Sequence, residues 1–306
     1  MLRYIIKRLF SALVTLYVII TITFFLMHSI PGGPFTGEKT LKPQILKNLN
    51  EKYGLDKPLG VQYVNYLKSL ARFDLGPSYR HVGRSVNKII SDTFPVSLRL
   101  GLAAITLALL LGIPMGMLAA LRKGKWQDKT VRVIATIGIA VPGFVVATTT
   151  MILFGVKLRW LPTLGLKSFK HYILPAFALS FFPMSFIARL MRSSMLDVIN
   201  QDYMRTAKAK GLSKFQIVFK HALKNSLLPI ITYLGPMSAG ILTGSFVIEK
   251  IFSIPGLGRF FVDSISNRDY STIMGVTIFY SFILIMMNLV VDIAYVFVDP
   301  RIKLDK

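Results

Sequence analysis

The sequence predicts an all-α integral membrane protein with six transmembrane helices and a small helical cap on its outer face. Three observations predict it. Hydrophobic residues fill 53% of the 306 positions, yet the charged residues come in clusters. Between the clusters lie six uncharged runs, residues 9–37, 100–121, 133–156, 171–188, 225–248 and 270–291. Each is about 18 residues or longer, enough for an α-helix to cross a hydrocarbon core of about 30 Å. Finally, the basic residues alternate with the runs. With the N-terminus inside, the inner segments 1–8, 122–132, 189–224 and 301–306 hold 19 of the 37 Lys and Arg, and the short outer loops 157–170 and 249–269 hold 7. That bias places both termini in the cytoplasm. The remaining 11 lie in segment 38–99, which at about 60 residues reaches the length where the charge rule stops applying, so it can lie outside. The net charge of +23 thus follows membrane topology and gives no reason to invoke nucleic acid.

The first apolar run follows Arg3, Lys7 and Arg8, as in a signal peptide. It is too long for a signal core and ends without a small-residue cleavage site, so it is read as a retained helix. Pro31, Gly32, Gly33 and Pro34 stop that helix. The outer segment then carries amphipathic pieces at residues 41–55 and 61–73, and a third near Ser85 to Ile90. Its apolar content is too small for a core of its own, which predicts a cap on the other helices. Pro95 suits the first turn of the second membrane helix. Pro114, Pro142, Pro175, Pro183, Pro229 and Pro236 fall within or at the ends of later spans, where neighbouring helices or a cavity must satisfy the carbonyls that proline leaves unpaired.

Between the fourth and fifth spans lies a basic amphipathic stretch, residues 202–224. Met204, Ala207, Leu212, Phe215, Val218, Phe219 and Ala222 recur at near-helical spacing, with Arg205, Lys208, Lys210, Lys214 and Lys220 on the polar side. Gly211 divides it, and Ser213 with Gln216 reads as a capping box. The pattern predicts one short helix ending near Lys210 and a second short one starting at Lys214, together a docking knob, with an ordinary solvated basic loop obeying the positive-inside rule as the alternative.

The sequence gives almost no support for an enzyme. There is no G-x-x-x-x-G-K-[ST] phosphate loop, no H-E-x-x-H and no G-x-S-x-G elbow. His28, His81, His171 and His221 are scattered, and cysteine is lacking, so no metal site is expected. An ion-coupled carrier would need ionisable groups at mid-membrane. Asn288 and Asp292, one turn apart on the sixth span, form a candidate polar membrane site, but Asp292 lies near the exit at Asp299-Pro300-Arg301. The nearly charge-free core fits a conduit driven from outside the chain better than a secondary transporter. A membrane scaffold would not need this proline-rich, charge-poor core.

The run Arg205-Thr206-Ala207-Lys208-Ala209-Lys210-Gly211 resembles the E-A-A-x-x-x-G signature of ABC importer permeases, with Arg205 in place of Glu and Thr206 in place of the first Ala. The segments FFLMHSIPGGPF at 24–35, EKYGLDKPLGVQYVNYL at 51–67, FDLGPS at 73–78, GSFVIEKIFSIPGLG at 244–258 and VDPRIKL at 298–304 are similar to its oligopeptide and dipeptide branch. The resemblance runs from end to end and implies a type I importer permease core with an extracytoplasmic helical cap, in the bacterial inner membrane. It implies residues 1–94 as first helix plus cap and 95–306 as a five-helix core. It assigns ATPase coupling to Tyr203, Arg205, Thr206, Ala207, Lys208, Ala209, Lys210, Gly211, Leu212 and Ser213. Implied partners are a homologous second permease, two cytoplasmic ATPase subunits that bind ATP and Mg in place of this chain, an extracytoplasmic peptide-binding lipoprotein, and membrane lipid. Oligopeptide is the first substrate reading, with dipeptide, nickel or another small ligand as alternatives. Lys47, Lys52 and Lys57 are candidates for external docking.

Overall fold

The structure is a computed structural model that describes residues 2–35 and 42–298, with side chains over 6–35 and 42–291. The described elements are helical, apart from one isolated β-bridge between Pro77 and Ser85. Helix α1 spans Leu2–His28. The cap helices α2, Pro43–Tyr53, and α3, Leu59–Ala71, contain no buried residue. They cover other elements and enclose nothing between themselves. Gly54, at φ 67°, ends α2 and returns its N–H to the carbonyls of Asn50 and Glu51, the left-handed stop that glycine adopts without a Cβ clash.

The second membrane helix does not begin at Pro95. Helix α4 runs unbroken over Val86–Leu121, with Pro95 and Pro114 inside it. The Ser85 hydroxyl accepts the Lys88 N–H at 3.2 Å and sets the start. The predicted third amphipathic piece is therefore the first turns of α4.

The third predicted crossing is not one rod. Helix α5, Trp126–Ala140, meets the continuing segment Gly143–Lys157 at 106° across Val141 and Pro142. Proline prevents helical continuation there. The second arm consists of α6, Gly143–Thr150, and a π-helical stretch, Met151–Lys157. Helix α7, Lys170–Ile199, carries Pro175 and Pro183 inside it. After α8, Asp202–Ala209, a π-helical stretch Gln216–Ala222 leads into α9, Leu223–Ser226, and α10, Leu228–Leu242. Short α11, Phe246–Ile251, is offset from α10 by Thr243 to Ser245, with Gly244 at φ 90°. Then follow α12, Leu257–Ser266, and α13, Tyr270–Val298. Among the described residues five helices are long and apolar enough to cross a membrane, or six if the bent pair is one span.

The most extensive helix pairing among the described elements is the α4–α7 contact. A Cβ on Gly112 would come 2.7 Å from the Met184 carbonyl oxygen, and one on Gly116 2.4 Å from that of Ala188. The two helices thus approach backbone to backbone at successive turns, which small residues permit in lipid. At the end that carries the cap helices, Asp269, 1% exposed, accepts bonds from Ser78 Oγ, the Tyr79 N–H at 3.0 Å and Thr272 Oγ1 at 2.8 Å. These bonds fix the loop before α4 to the start of α13. Burial, then the nearby Asp269 carboxylate and Tyr53, push the Tyr79 phenol up to about 12. Buried Glu249 joins the broken fifth span to α4 and α12. It accepts from Ser97 Oγ at 2.6 Å and from the Arg259 N–H at 2.8 Å, at the positive end of α12.

Candidate coupling loop

Helix α8 leaves α7 after Asn200 and Gln201. Met204, fully buried, and Ala207, 7% exposed, anchor it in a cluster with Met191, Met195 and Ile217. Tyr203, Arg205, Thr206, Lys208, Ala209 and Lys210 face outward. Gly211, at φ 75°, turns the chain, and its N–H returns to the Lys208 carbonyl at 3.0 Å. Leu212 is half-buried and Ser213 exposed. The predicted capping box is formed: Gln216 N–H donates to Ser213 Oγ at 3.3 Å, and Ser213 N–H to Gln216 Oε1 at 3.1 Å. Of the ten predicted residues, the structure places Ala207 as an anchor beneath the surface and gathers the others around one exposed helix and its turn.

Two features depart from the expectation of two short helices with one apolar face. The second piece continues from Lys214 through the π-helical stretch to Ser226 and, after Leu227, into α10. The knob is therefore one short helix, α8, on the shoulder of a membrane helix. Phe215 and Phe219, expected on the apolar side, are 69% and 44% exposed with ring centroids 4.5 Å apart. The π-helical turn bonds i to i+5 and breaks the 3.6-residue register. Ile217 and Ala222, five apart, are buried instead. The outer surface joins two phenylalanine rings to basic Arg205, Lys208, Lys210, Lys214 and Lys220. Asn225 Nδ2 donates to Tyr203 Oη at 2.8 Å and ties α8 to α9.

Sequence reasoning missed the pair beside this loop. Asp128, 1% exposed, accepts from Arg192 Nε at 2.6 Å and Nη2 at 2.9 Å, and from the Gly124 N–H at 2.9 Å. Arg132 Nε lies at 3.6 Å from the same carboxylate. The signal was a lone acid in the basic run RKGKWQDKTVR, but its partner is 64 residues away.

The other candidates stand apart. Lys47, Lys52 and Lys57 are exposed on α2 and the turn after it; Lys47 Nζ is 3.9 Å from Glu51, and Lys52 Nζ is 5.6 Å from the Tyr53 ring centre. Asn288 packs against α10, where a Cβ on Gly235 would meet its Oδ1 at 3.1 Å. The Asp292 side chain lies outside the described residues. Among the described residues, no three His, Cys, Asp or Glu side chains group as metal ligands.

The family described as binding-protein-dependent transport system inner membrane component matches residues 112–304, and its N-terminal companion matches residues 1–101. The chain belongs to this family. It is accordingly a multi-pass inner-membrane permease component. The dipeptide transport system permease protein DppB of Bacillus subtilis is 51% identical to this permease over all of the chain and 99% of its own length. The oligopeptide transport system permease protein OppB of Escherichia coli K12 is 44% identical over 99% of the chain and its own full length. Among solved structures, the MetNI methionine ABC transporter in an inward-facing conformation aligns with TM-score 0.58 at 16% identity, covering 69% of this permease and 96% of that chain. An amino acid ABC transporter aligns with TM-score 0.54 at 14% identity, covering 68% and 93%. At that identity these two establish a shared fold, the type I importer fold.

Proposed function

We propose that this permease is the transmembrane subunit of an ATP-driven peptide importer, forming half of an alternating-access pathway whose other half is a homologous permease. The observation that carries the peptide assignment is identity along the whole chain to permeases named for dipeptides and oligopeptides. The higher identity to a dipeptide permease supports dipeptides as a second substrate reading beside longer peptides. In this reading residues 202–213 seat in a groove of a cytoplasmic ATPase, with Tyr203, Arg205, Lys208 and Lys210 at the contact and Met204 and Ala207 holding the helix down. Hydrolysis belongs to two ATPase partners, which bind ATP and Mg. An extracytoplasmic lipoprotein delivers peptide to the face that carries the cap. The bias of 19 basic residues inside against 7 in the short outer loops supports cytoplasmic termini.

The physical sequence is a population shift. Closure of the ATPase pair draws two coupling helices together and favours one of two arrangements of the bundles. The test is reconstitution of the complete complex in lipid with ATP and a peptide-loaded binding protein. ATP-dependent accumulation of a dipeptide or a pentapeptide is the expected result, and the ratio of the two decides the substrate class. Hydrolysis that neither peptide stimulates, with no uptake, would overturn the peptide reading.

A further inference from the structure

Helices α4 and α7 close on each other at Gly112 against Met184 and at Gly116 against Ala188. On α7 the next position in that four-residue ladder is Arg192, and it holds Asp128 through two bonds. Asp128 also closes the α4–α5 turn by accepting from Gly124, which is at φ 80°. Helix α5 touches α7 again at its far end, where a Cβ on Gly138 would sit 1.9 Å from Ser185 Oγ. These contacts hold the two ends of α5 to α7, and Val131 packs in one cluster with Ala188 between them. The far contact is steric. The near one is an ion pair on a carboxylate that is 1% exposed, and a charge so buried is strongly held by its partner.

Arg192 lies about two turns above the end of α7, beyond which α8 begins. Met191 and Met195, flanking Arg192, pack in one cluster with Met204 and Ala207 of α8. A displacement of α8 is thus delivered, through that shared cluster, both to the π-helical stretch that carries Ile217 and to the stretch of α7 that carries Arg192. From there the ion pair leads into α5, the leading arm of the bent third crossing. Close packing makes such contacts switch between arrangements without gradual deformation.

We propose that the Asp128–Arg192 pair is the positioning contact that carries motion of the coupling helix into the bent third span. This rests on the reading of residues 202–213 as the ATPase-coupling loop. Breaking the pair leaves the ATPase docking surface intact, because neither residue belongs to it, and separates hydrolysis from transport.

The test uses the full complex in lipid. In D128N the carboxylate loses its charge without losing its shape, and Arg192, 21% exposed, can turn to water. Peptide moved per ATP should fall at least about fivefold, the lower end of coupling between sites, while the ATPase subunits stay bound and hydrolysis continues. The double variant D128N/R192Q should be no worse than the poorer single one, since both remove the same contact. R192K, which keeps the charge, should fall between D128N and the parent; it carries the same test if D128N does not accumulate in the membrane. A second readout is independent of substrate. The chain lacks cysteine, so spin labels at Gln201→Cys, exposed at the start of α8 and outside the proposed ATPase contact, and at Val133→Cys on α5 report one distance. That distance should stay constant through the ATP cycle in the parent and change in D128N.

A constant distance in D128N, undiminished transport per ATP, or loss of the ATPase subunits together with transport would each overturn the proposal. Failure of the parent complex to move any peptide would instead overturn the functional reading, and the distance measurement would still decide the role of the pair.

Discussion

Gly211 shows how one backbone angle bears on the proposed coupling surface. At φ 75° a side chain meets nothing within 4 Å, so the obstacle to substitution is the backbone alone. A left-handed conformation costs an L-residue about 1–2 kcal/mol, and Asn tolerates it best after Gly. Gly211→Val should therefore impair ATP-driven uptake while the permease still reaches the membrane, and Gly211→Asn should retain most of it. Equal uptake by both variants would mean that the turn geometry has no bearing on coupling. Gly116 is constrained differently, because a Cβ there meets the Ala188 carbonyl oxygen at 2.4 Å, whereas Gly240 has nothing within 4 Å. Gly116→Ala should cost about 1–3 kcal/mol through forced separation of α4 and α7, seen as a lower unfolding temperature of the detergent-solubilised complex. Gly240→Ala should leave that temperature unchanged or raise it.

Helix α8 buries two side chains, Met204 and Ala207, and is tied to α9 by the Tyr203–Asn225 bond, few enough contacts to make the element easy to dislodge. Ala207→Glu would drive a carboxylate into the cluster around Met191 and Met195, and a buried charge without a partner is expelled. The expected outcome is a permease that inserts normally but no longer retains ATPase subunits on affinity purification, or retains them without coupled uptake. Normal uptake would reduce residues 202–213 to a solvated connection. The same scale governs the cap. Reversing Lys47, Lys52 and Lys57 should leave folding intact, because exposed charges add little stability. Binding of the peptide-loaded external protein should weaken at low salt and much less at high salt. Unchanged affinity at low salt would remove these lysines from the docking surface.

For the molecule as a whole, orientation is the property that organises every other assignment. A cysteine at Lys47 should react with a membrane-impermeant reagent in intact cells, and one at Lys208 only after the cells are opened; the reverse pattern would invert the assignment of coupling loop and cap. The sequence determined by itself that the chain is helical and crosses a membrane, because long uncharged runs and alternating basic segments are local properties that lipid enforces without tertiary packing. It also determined the stop at Gly211 and the capping box at Ser213, which depend on residues within one turn. Only the tertiary structure decided that α4 runs through Pro95, that the third crossing bends by 106°, and that Phe215 and Phe219 face outward from a π-helical turn. It alone joined Asp128 to Arg192 and Glu249 to Ser97, since a pairing across 64 or 152 residues leaves no periodic trace in the chain. The physical reason is range: composition and spacing record what a residue does with water, lipid and its own helix, whereas which charge meets which partner is set by how the helices pack.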